Sequence, residues 1–242
     1  MSGSRLAVVT GAAGGLGVPL AEALGRAGYS LLLVDLADRV RAVCDELTGA
    51  GFYARAVVAD LSSDEGVDAV VAAVVEAPAE LGLLVNNAGI TRDARLATMT
   101  VADFDLVIEV NLLSVLRLTR ALEPHFAPGA SVVTMSSRAA LGNFGQTNYV
   151  TSKSALVGVT RALAQQWSPR VRANAVAPGL VDTPMTQAMP PDVLAKLVDR
   201  VPAARIGTPE DIAAAVVFLA SDDAAYVNGQ VLTVCGGRSI AP

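Results

Sequence analysis

The sequence is poor in the residues that most metal and hydrolytic sites require. It contains one histidine and two cysteines in 242 residues, too few for a conventional zinc site, which excludes a zinc-dependent alcohol dehydrogenase. A serine hydrolase would need the single histidine, His125, and the sequence has no G-x-S-x-G motif. The phosphate-binding G-x-x-x-x-G-K motif is absent as well. Cys44 and Cys235 lie far apart and are predicted to be packed small side chains rather than a disulfide.

Long apolar runs and an excess of positive charge are also missing. No apolar run approaches the roughly 20 residues that cross a membrane, and no signal-peptide pattern opens the sequence. We therefore expect a cytoplasmic protein with no membrane partner. The net charge of −5 argues against nucleic acid as a partner. The length suits one domain over residues 1–242, and an apolar fraction of 52% suits a parallel sheet that is buried on both faces.

Strand-like and helix-like runs alternate along the chain, which predicts an α/β fold with a doubly wound parallel seven-stranded sheet of the Rossmann type. Ligands of such folds bind at the carboxyl ends of the strands. Strands are predicted near 6–10, 30–34, 55–59, 82–86, 131–135, 171–176 and 230–234, and helices near 15–27, 38–49, 64–77, 101–125, 148–167 and 209–220.

A glycine-rich turn follows the first predicted strand and opens the first predicted helix. Glycines are needed where the backbone approaches a pyrophosphate and where the helix packs closely on the sheet, and the helix N-terminus offers free N–H groups to the phosphates. Because the strand, turn and helix succeed one another, the motif has the context that dinucleotide binding requires. The predicted contacts are Gly11, Gly14, Gly15, Leu16 and Gly17.

Two aspartates end the next two predicted strands. Asp35 is placed to accept hydrogen bonds from both hydroxyls of the adenosine ribose and to repel a 2′-phosphate, which favours NAD(H) over NADP(H). Asp60 is placed to meet the adenine amino group, and the adjoining Leu36 and Leu61 are assigned to the same site. Alternatively, both aspartates are helix-capping or loop residues.

A tyrosine, a lysine and a serine form the candidate catalytic group. Tyr149 and Lys153 are four residues apart in a predicted helix and so share one face, and Ser136 ends a predicted strand. A positive charge beside a phenol favours the phenolate, and a hydroxyl donor can hold a carbonyl oxygen. The group could transfer a proton to or from an alcohol oxygen. Alternatively, the tyrosine is half-buried on a surface helix with a solvated lysine.

These segments, in this order, resemble the short-chain dehydrogenase/reductase family. The resemblance implies a tetrad of Asn111, Ser136, Tyr149 and Lys153, in which Lys153 also holds the nicotinamide ribose and Asn111 holds a water. Alternatively, or in addition, Asn111 is a helix-bend residue that satisfies its own backbone. The motifs are Thr10-Gly11-x-x-x-Gly15-x-Gly17, Asn86-Asn87-Ala88-Gly89, the tetrad itself and Pro178-Gly179-Leu180-Val181-Asp182-Thr183. The cofactor contacts that this resemblance implies are Asn87, Ala88, Gly89, Tyr149, Lys153, Pro178, Gly179, Val181 and Thr183.

Within the family, residues 87–93, 142–149, 175–179 and 234–236 are similar to those of 3-oxoacyl reductases. The resemblance implies NADH-dependent reduction of a 3-oxoacyl thioester, carried by coenzyme A or an acyl carrier protein. Residues 123–129 lack the basic side chains typical of carrier-protein binding, which leaves an acyl-CoA or another ketone more open. The alternative is an NAD-dependent dehydrogenase of another secondary alcohol, cyclic, steroid or small hydroxy acid. A remote alternative is a non-catalytic nucleotide-binding scaffold.

Two further segments carry predictions. The predicted helices 101–125 and 148–167 are apolar on nearly all sides, which favours a homo-oligomer packed through them, and the family resemblance implies a homotetramer. Residues 184–208 combine prolines and methionines and are predicted to be a substrate lid, or alternatively an ordinary connector. Leu141, Phe144 and Met185 are candidates to flank an acyl chain.

Overall fold

The structure is a computed structural model that describes residues 5–240, apart from the side chain of Met185. The predictions for residues 1–4 and 241–242, and the assignment of the Met185 side chain to an acyl chain, lie outside the described residues. The strands are β1 (Leu6–Thr10), β2 (Ser30–Asp35), β3 (Ala54–Val58), β4 (Leu81–Asn86), β5 (Phe126–Met135), β6 (Val171–Pro178) and β7 (Val231–Val234). The helices are α1 (Gly17–Arg26), α2 (Arg39–Gly49), α3 (Asp64–Val75), α4 (Val101–Ile108), α5 (Ser114–Leu122), α6 (Thr147–Trp167), α7 (Pro184–Gln187), α8 (Pro191–Val198) and α9 (Pro209–Ala220).

The seven strands form one parallel sheet in the order β3-β2-β1-β4-β5-β6-β7. The chain moves outward in one direction from β1 to β3 and in the other from β4 to β7. The order therefore reverses between β1 and β4, and a crevice is expected beyond the carboxyl ends of these two strands. The predicted fold class is confirmed.

The two faces of the sheet are covered by different helices because strand side chains alternate in direction. Ala7 and Val9 of β1 pack with α1, α2 and α9 in one apolar cluster. Leu6 and Val8 pack with α3, α5 and the end of α6 in the other. All of these strand residues are fully or almost fully buried, which explains the continuous apolar runs of the sequence.

Three predicted elements have different limits in the structure. The helix predicted over 101–125 is interrupted by a π-helical turn at Glu109–Leu113 and ends in a 3-10 turn at Glu123–His125. β5 begins at Phe126, before the predicted start, because the strand tolerates a register shift against β4 between Leu81 and Leu83. The segment 184–208 contains the short helices α7 and α8.

Parts of the apolar helices remain exposed. Val101, Leu106 and Leu116 keep a large exposed fraction, whereas Val107 and Leu118 are fully buried against the protein. The α4–α6 contact covers only part of this surface. Among residues 5–240, none of the helices is both long and apolar enough to cross a bilayer.

Candidate functional site

A cavity of about 1030 Å³ opens beyond the carboxyl ends of the strands. Its wall contains most of the residues that the sequence analysis selected, from both halves of the chain. Of the selected residues, Gly17, Asn111, Leu141 and Phe144 do not line it. The selected residues that line it are Gly11, Gly14, Gly15, Leu16, Asp35, Leu36, Asp60, Leu61, Asn87, Ala88, Gly89, Ser136, Tyr149, Lys153, Pro178, Gly179, Val181 and Thr183.

The turn after β1 has the close approaches that require glycine. Gly11 has a φ of +63°, and a Cβ there would lie 2.8 Å from the Cα of Ala88. A Cβ at Gly17 would lie 2.1 Å from the Gly11 carbonyl oxygen. Gly17 therefore serves the packing of α1 against the turn, while Gly14 and Gly15 are exposed to the cavity.

Polar side chains fix this turn to the end of β4. The Thr10 hydroxyl accepts the backbone N–H groups of Asn87 and Ala88, both at 3.0 Å. The Asn87 amide donates to the carbonyl oxygens of Thr10 at 3.0 Å and Gly11 at 3.1 Å. Hydrogen bonds within the protein therefore fix the end of β1 to the end of β4, which border the crevice.

The carboxylate of Asp35 lies at the end of β2 and points back to the turn. One oxygen accepts the N–H of Ala13 and the other that of Ala37, both at 2.9 Å. Each oxygen has a further lone pair, so the carboxylate can still accept from a ligand hydroxyl. Its position beside exposed backbone glycines fits the ribose end of a dinucleotide.

Asp60 follows β3 after one intervening residue and is more exposed. One carboxylate oxygen accepts both the N–H and the hydroxyl of Ser62, at 2.9 and 2.6 Å. These hydrogen bonds lower the pKa of the Asp60 carboxyl. The loop interpretation thus has direct support, and the second carboxylate oxygen keeps its lone pairs for a ligand.

Asn111 is fully buried in the π-helical turn between α4 and α5. Its amide oxygen accepts the N–H of Ile90 at 2.8 Å, and its amide nitrogen donates to the Ile90 carbonyl at 2.9 Å and to Ser152 Oγ at 3.1 Å. The amide therefore joins the segment after β4 to α6. A Cβ on Gly89 would lie 3.2 Å from Asn111 Oδ1 and 3.3 Å from Lys153 Nζ, so both atoms border the same glycine.

Lys153 is 4% exposed, and its ammonium donates to the Met135 carbonyl oxygen at 2.8 Å. Burial disfavours the charged form and lowers the pKa of Lys153 to about 8. Nζ lies 5.7 Å from the ring centroid of Tyr149. The i to i+4 spacing thus places both groups at one end of the cavity, as the sequence indicated.

Burial is the main influence on the phenol of Tyr149. Burial raises the pKa of Tyr149, a hydrogen bond with the Ser137 side chain lowers it, and the Asp93 carboxylate raises it, with a net increase. The effect of Lys153 on this pKa stays a prediction. Burial disfavours the charged forms of both the phenol and the ammonium.

The two adjacent serines face different partners. Ser136 is 3% exposed, and its hydroxyl donates to the Lys153 carbonyl oxygen at 2.8 Å. The Ser137 hydroxyl accepts the N–H of Ala139 at 3.0 Å and interacts with the Tyr149 side chain. Both serines line the cavity. Among the side chains described, Ser137 is the hydroxyl that contacts the phenol.

The segment after β6 forms the opposite wall of the cavity. Val181 pairs with Gly207 in an isolated parallel bridge, and the Thr186 hydroxyl donates to the Val181 carbonyl at 2.7 Å while accepting the N–H of Thr183 at 2.9 Å. Gly15 has no room for a Cβ because Pro184 Cδ would lie 2.8 Å away. The two walls therefore approach each other closely at the glycine turn.

Sequence reasoning did not select several lining residues, including Ser137, Arg92 and the apolar Ile90, Leu106 and Val110. Arg92 and Ile90 stand in a segment quoted only for its resemblance. Ser137 directly follows Ser136, which the sequence motifs selected instead. No motif marks Leu106 and Val110, because their position depends on how α4 and the π turn pack.

The site combines a glycine turn at the switch point, the Asp35 carboxylate beside it and a tyrosine–lysine pair in one cavity. Among residues 5–240, no cluster of three or more His, Cys, Asp or Glu side chains could hold a metal ion. These features define a nicotinamide-dependent oxidoreductase of the Rossmann type. The residues fit a dinucleotide because the exposed glycines leave a cradle that a Cβ would fill.

Comparison with known proteins agrees with this class. A family model described as Enoyl-(Acyl carrier protein) reductase matches residues 11–239. The (2S)-[(R)-hydroxy(phenyl)methyl]succinyl-CoA dehydrogenase subunit BbsD of Thauera aromatica is 39% identical over 98% of this chain and 97% of that protein. The 3-oxoacyl-[acyl-carrier-protein] reductase FabG of Thermotoga maritima is 36% identical over 98% of each.

A solved structure is also similar over its full length. A candidate NAD(P)-dependent gluconate 5-dehydrogenase from Beutenbergia cavernae, with NADP bound at low occupancy, matches with a TM-score of 0.90 and 40% identity over 100% of both chains. The chain therefore belongs to the short-chain dehydrogenase/reductase family and is an NAD(P)-dependent oxidoreductase. The family predicted from the sequence motifs is confirmed.

The buried Lys153 makes the stability of the protein depend on pH. Its pKa is about 8 in the folded protein and 10.5 as a free side chain, so between these values the unfolded chain binds more protons and the folded state gains stability as pH rises. We expect the free energy of unfolding of the wild type, relative to Lys153→Met, to rise by up to about 1.4 kcal/mol per pH unit from pH 8 to 10. Urea denaturation at each pH measures it.

The control is Lys196→Met, which removes an exposed lysine on α8. The difference in free energy of unfolding between Lys196→Met and the wild type should stay constant over the same pH range. A constant difference for Lys153→Met would show that the ammonium is solvated in the folded protein.

Proposed function

We propose that this enzyme reduces a 3-oxoacyl thioester to the 3-hydroxyacyl thioester with NADH as the hydride donor. The observation that carries the proposal is the presence of Tyr149, Lys153 and a serine hydroxyl in the same cavity as the glycine turn. A bound nicotinamide supplies the hydride, and the chain supplies the proton and the contacts that orient the ketone.

The roles of the side chains follow from their protonation. Tyr149 is neutral at physiological pH because burial raises its pKa, so it can donate the proton to the alcohol oxygen. Lys153 is close enough to favour the phenolate that remains, and it is also placed to hold the nicotinamide ribose. Asn111 positions Ile90 and α6, and its oxygen retains a lone pair for a water beside Lys153.

The geometry favours Ser137 over Ser136 as the hydroxyl that holds the substrate carbonyl oxygen. Ser136 already donates its only proton to the Lys153 carbonyl. The Ser137 hydroxyl contacts the phenol, so its own proton can be directed to an oxygen that also receives the Tyr149 proton. Ser136 would then fix α6 to the end of β5.

The cofactor proposal rests on Asp35. A 2′-phosphate at the ribose would meet this carboxylate, and neither Ala13 nor Gly14 in the turn offers a positive charge. Exposed Arg39 lies four residues further on and could balance part of this repulsion. Of the other selected residues, Leu36, Asp60 and Leu61 would contact the adenine. Val181 and Thr183 would contact the carboxamide of the nicotinamide.

The thioester proposal rests on the substrate side of the cavity. Two relatives are similar over 98% of the chain. The name of one includes a CoA thioester, and the name of the other includes an acyl-carrier-protein thioester. Leu141 and Phe144 are exposed in the segment that precedes α6, and an acyl chain could lie along them. The second candidate is dehydrogenation of a polar secondary alcohol, which the similarity to a candidate gluconate dehydrogenase favours.

Two features of architecture accompany the proposal. Residues 184–208 would close over the substrate as a lid, since α7 and α8 lie in the chain between the paired residues Val181 and Gly207, and Pro184 of α7 lines the cavity. The exposed Val101, Leu106 and Leu116 would be covered in a homotetramer packed through α4, α5 and α6.

The activity is tested by NADH oxidation with acetoacetyl-CoA. We expect turnover by the wild type and a loss of about 10²- to 10⁴-fold in kcat for Tyr149→Phe, because the variant lacks the proton donor. NADH binding, followed by fluorescence, should change little. A panel of secondary alcohols with NAD provides the comparison, and a clear preference for one of them would support the second candidate.

The two serines are distinguished by a matched pair of alanine variants. Ser137→Ala should lower kcat by about 10²-fold or more, because the carbonyl oxygen loses a donor. Ser136→Ala should keep kcat within about threefold and lower the free energy of unfolding by about 1 kcal/mol, because a buried hydrogen bond to α6 is lost. The reverse order of activities would return the role to Ser136.

The cofactor preference is tested with Asp35→Asn, which keeps the shape of the side chain and removes its charge. The ratio of kcat/KM for NADH to that for NADPH should fall by about tenfold. Asp38→Asn is the control, since Asp38 is exposed and paired with Arg41. A wild type that prefers NADPH would refute the role assigned to Asp35.

A further inference from the structure

Two arginines, Arg92 and Arg95, lie in a segment that is held next to the residues leading to Tyr149, and Arg92 lines the cavity. Residues 91–95 run beside residues 143–148 through an isolated parallel bridge between Ala94 and Gln146. The Ala94 N–H donates to the Gly145 carbonyl at 2.9 Å, and the buried Asn148 amide donates to the Arg92 carbonyl at 2.9 Å. Arg92 and Arg95 therefore belong to a braced segment at the substrate end.

In the part of the chain that the structure describes, neither guanidinium group has an acidic partner. Arg92 lines the cavity and donates to the Thr91 carbonyl at 2.8 Å, and the guanidinium of Arg95 lies 5.6 Å from the ring centroid of Phe144. Within residues 5–240, neither forms an ion pair, although arginines elsewhere such as Arg26 and Arg205 do.

The acidic groups nearby are engaged with neutral donors. Asp93 accepts the Gln146 amide at 2.8 Å, and Asp103 accepts the Thr100 hydroxyl at 2.6 Å. Both carboxylates keep their negative charge in these hydrogen bonds, but among residues 5–240 neither forms an ion pair with either of the two arginines. Guanidinium N–H groups of both arginines therefore remain available to a multiply charged anion, in a protein with a net charge of −5. Guanidinium groups suit phosphate in particular, since they can donate two parallel hydrogen bonds.

We propose that Arg92 and Arg95 form a subsite for the phosphates of a coenzyme A thioester. The inference rests on the proposed function and specifies coenzyme A as the group that carries the acyl thioester. Phe144 is 83% exposed beneath Arg95, and Leu96 and Leu141 are also exposed, so the subsite combines positive charge with apolar surface. Coenzyme A offers the matching parts, a pyrophosphate and a 3′-phosphate joined to a ring and an uncharged arm.

The test compares two substrates that share one acyl group. Acetoacetyl-CoA carries the phosphates, and the acetoacetyl thioester of N-acetylcysteamine does not. For the double variant Arg92→Met/Arg95→Met, the KM for acetoacetyl-CoA should rise about tenfold, equivalent to about 1.4 kcal/mol. The KM for the short thioester should stay within about twofold, and kcat should be unchanged for both.

The matched control is Arg26→Met/Arg170→Met, which removes the same charge near the amino ends of the strands and should leave both KM values unchanged. Added KCl should raise the KM of the wild type for acetoacetyl-CoA and have little effect in the Arg92/Arg95 variant. Equal changes for both thioesters would overturn the subsite. A loss confined to an acyl-carrier-protein thioester would assign the arginines to a protein carrier instead.

A direct binding measurement separates this inference from the activity. Calorimetric titration with free coenzyme A should show weaker binding to the Arg92/Arg95 variant than to the wild type. If neither thioester is turned over but this difference is found, the proposed reaction fails and the subsite stands. If both are turned over and free coenzyme A binds wild type and variant equally, the subsite fails alone.

Discussion

The hydrogen bonds between Thr10 and Asn87 join the end of β1 to the end of β4, and the rest of the site depends on this junction. β1 and β4 are neighbours in the sheet, but the chain leaves them toward opposite sides, which opens a crevice at their carboxyl ends. The Thr10 hydroxyl and the Asn87 amide satisfy the backbone groups that this divergence would leave unpaired. The glycine turn is thereby ordered by the protein itself, and a ligand that enters the crevice does not have to order it.

The second constraint is the burial of Lys153 beside Tyr149. Burial lowers the pKa of Lys153 and raises that of Tyr149, so both groups are drawn toward their neutral forms. The ammonium nitrogen lies 5.7 Å from the ring centroid of Tyr149, a distance at which opposite charges attract. The Met135 carbonyl is the hydrogen-bond acceptor that partly offsets the cost of burying the ammonium. A lysine in such a place lowers stability below pH 8, which is reasonable only where its charge has a chemical use.

The seven strands, their alternation with helices and most of the residues that line the cavity could be predicted from the sequence. Each strand is a local apolar run, and the lining residues directly follow such runs or belong to recognisable motifs. The π turn at Asn111 could not be predicted, since it arises from a distant contact with Ile90 and Ser152. The choice between Ser136 and Ser137 could not be made from the sequence for a related reason. Successive residues at a strand end point in opposite directions, and only the packing of α6 shows which hydroxyl faces Tyr149.

The charges at the two ends of the cavity have opposite signs, and this bears on how two phosphate-bearing molecules could share it. Asp35 stands at the end near the glycine turn, where a dinucleotide without a 2′-phosphate would avoid repulsion. Arg92 stands at the other end, where the phosphates of a thioester carrier would be attracted. A coenzyme A thioester that entered the dinucleotide end would place its 3′-phosphate near the carboxylate. Asp35 and Arg92 would therefore favour the dinucleotide at one end of the cavity and the thioester carrier at the other, and they would disfavour the reverse arrangement.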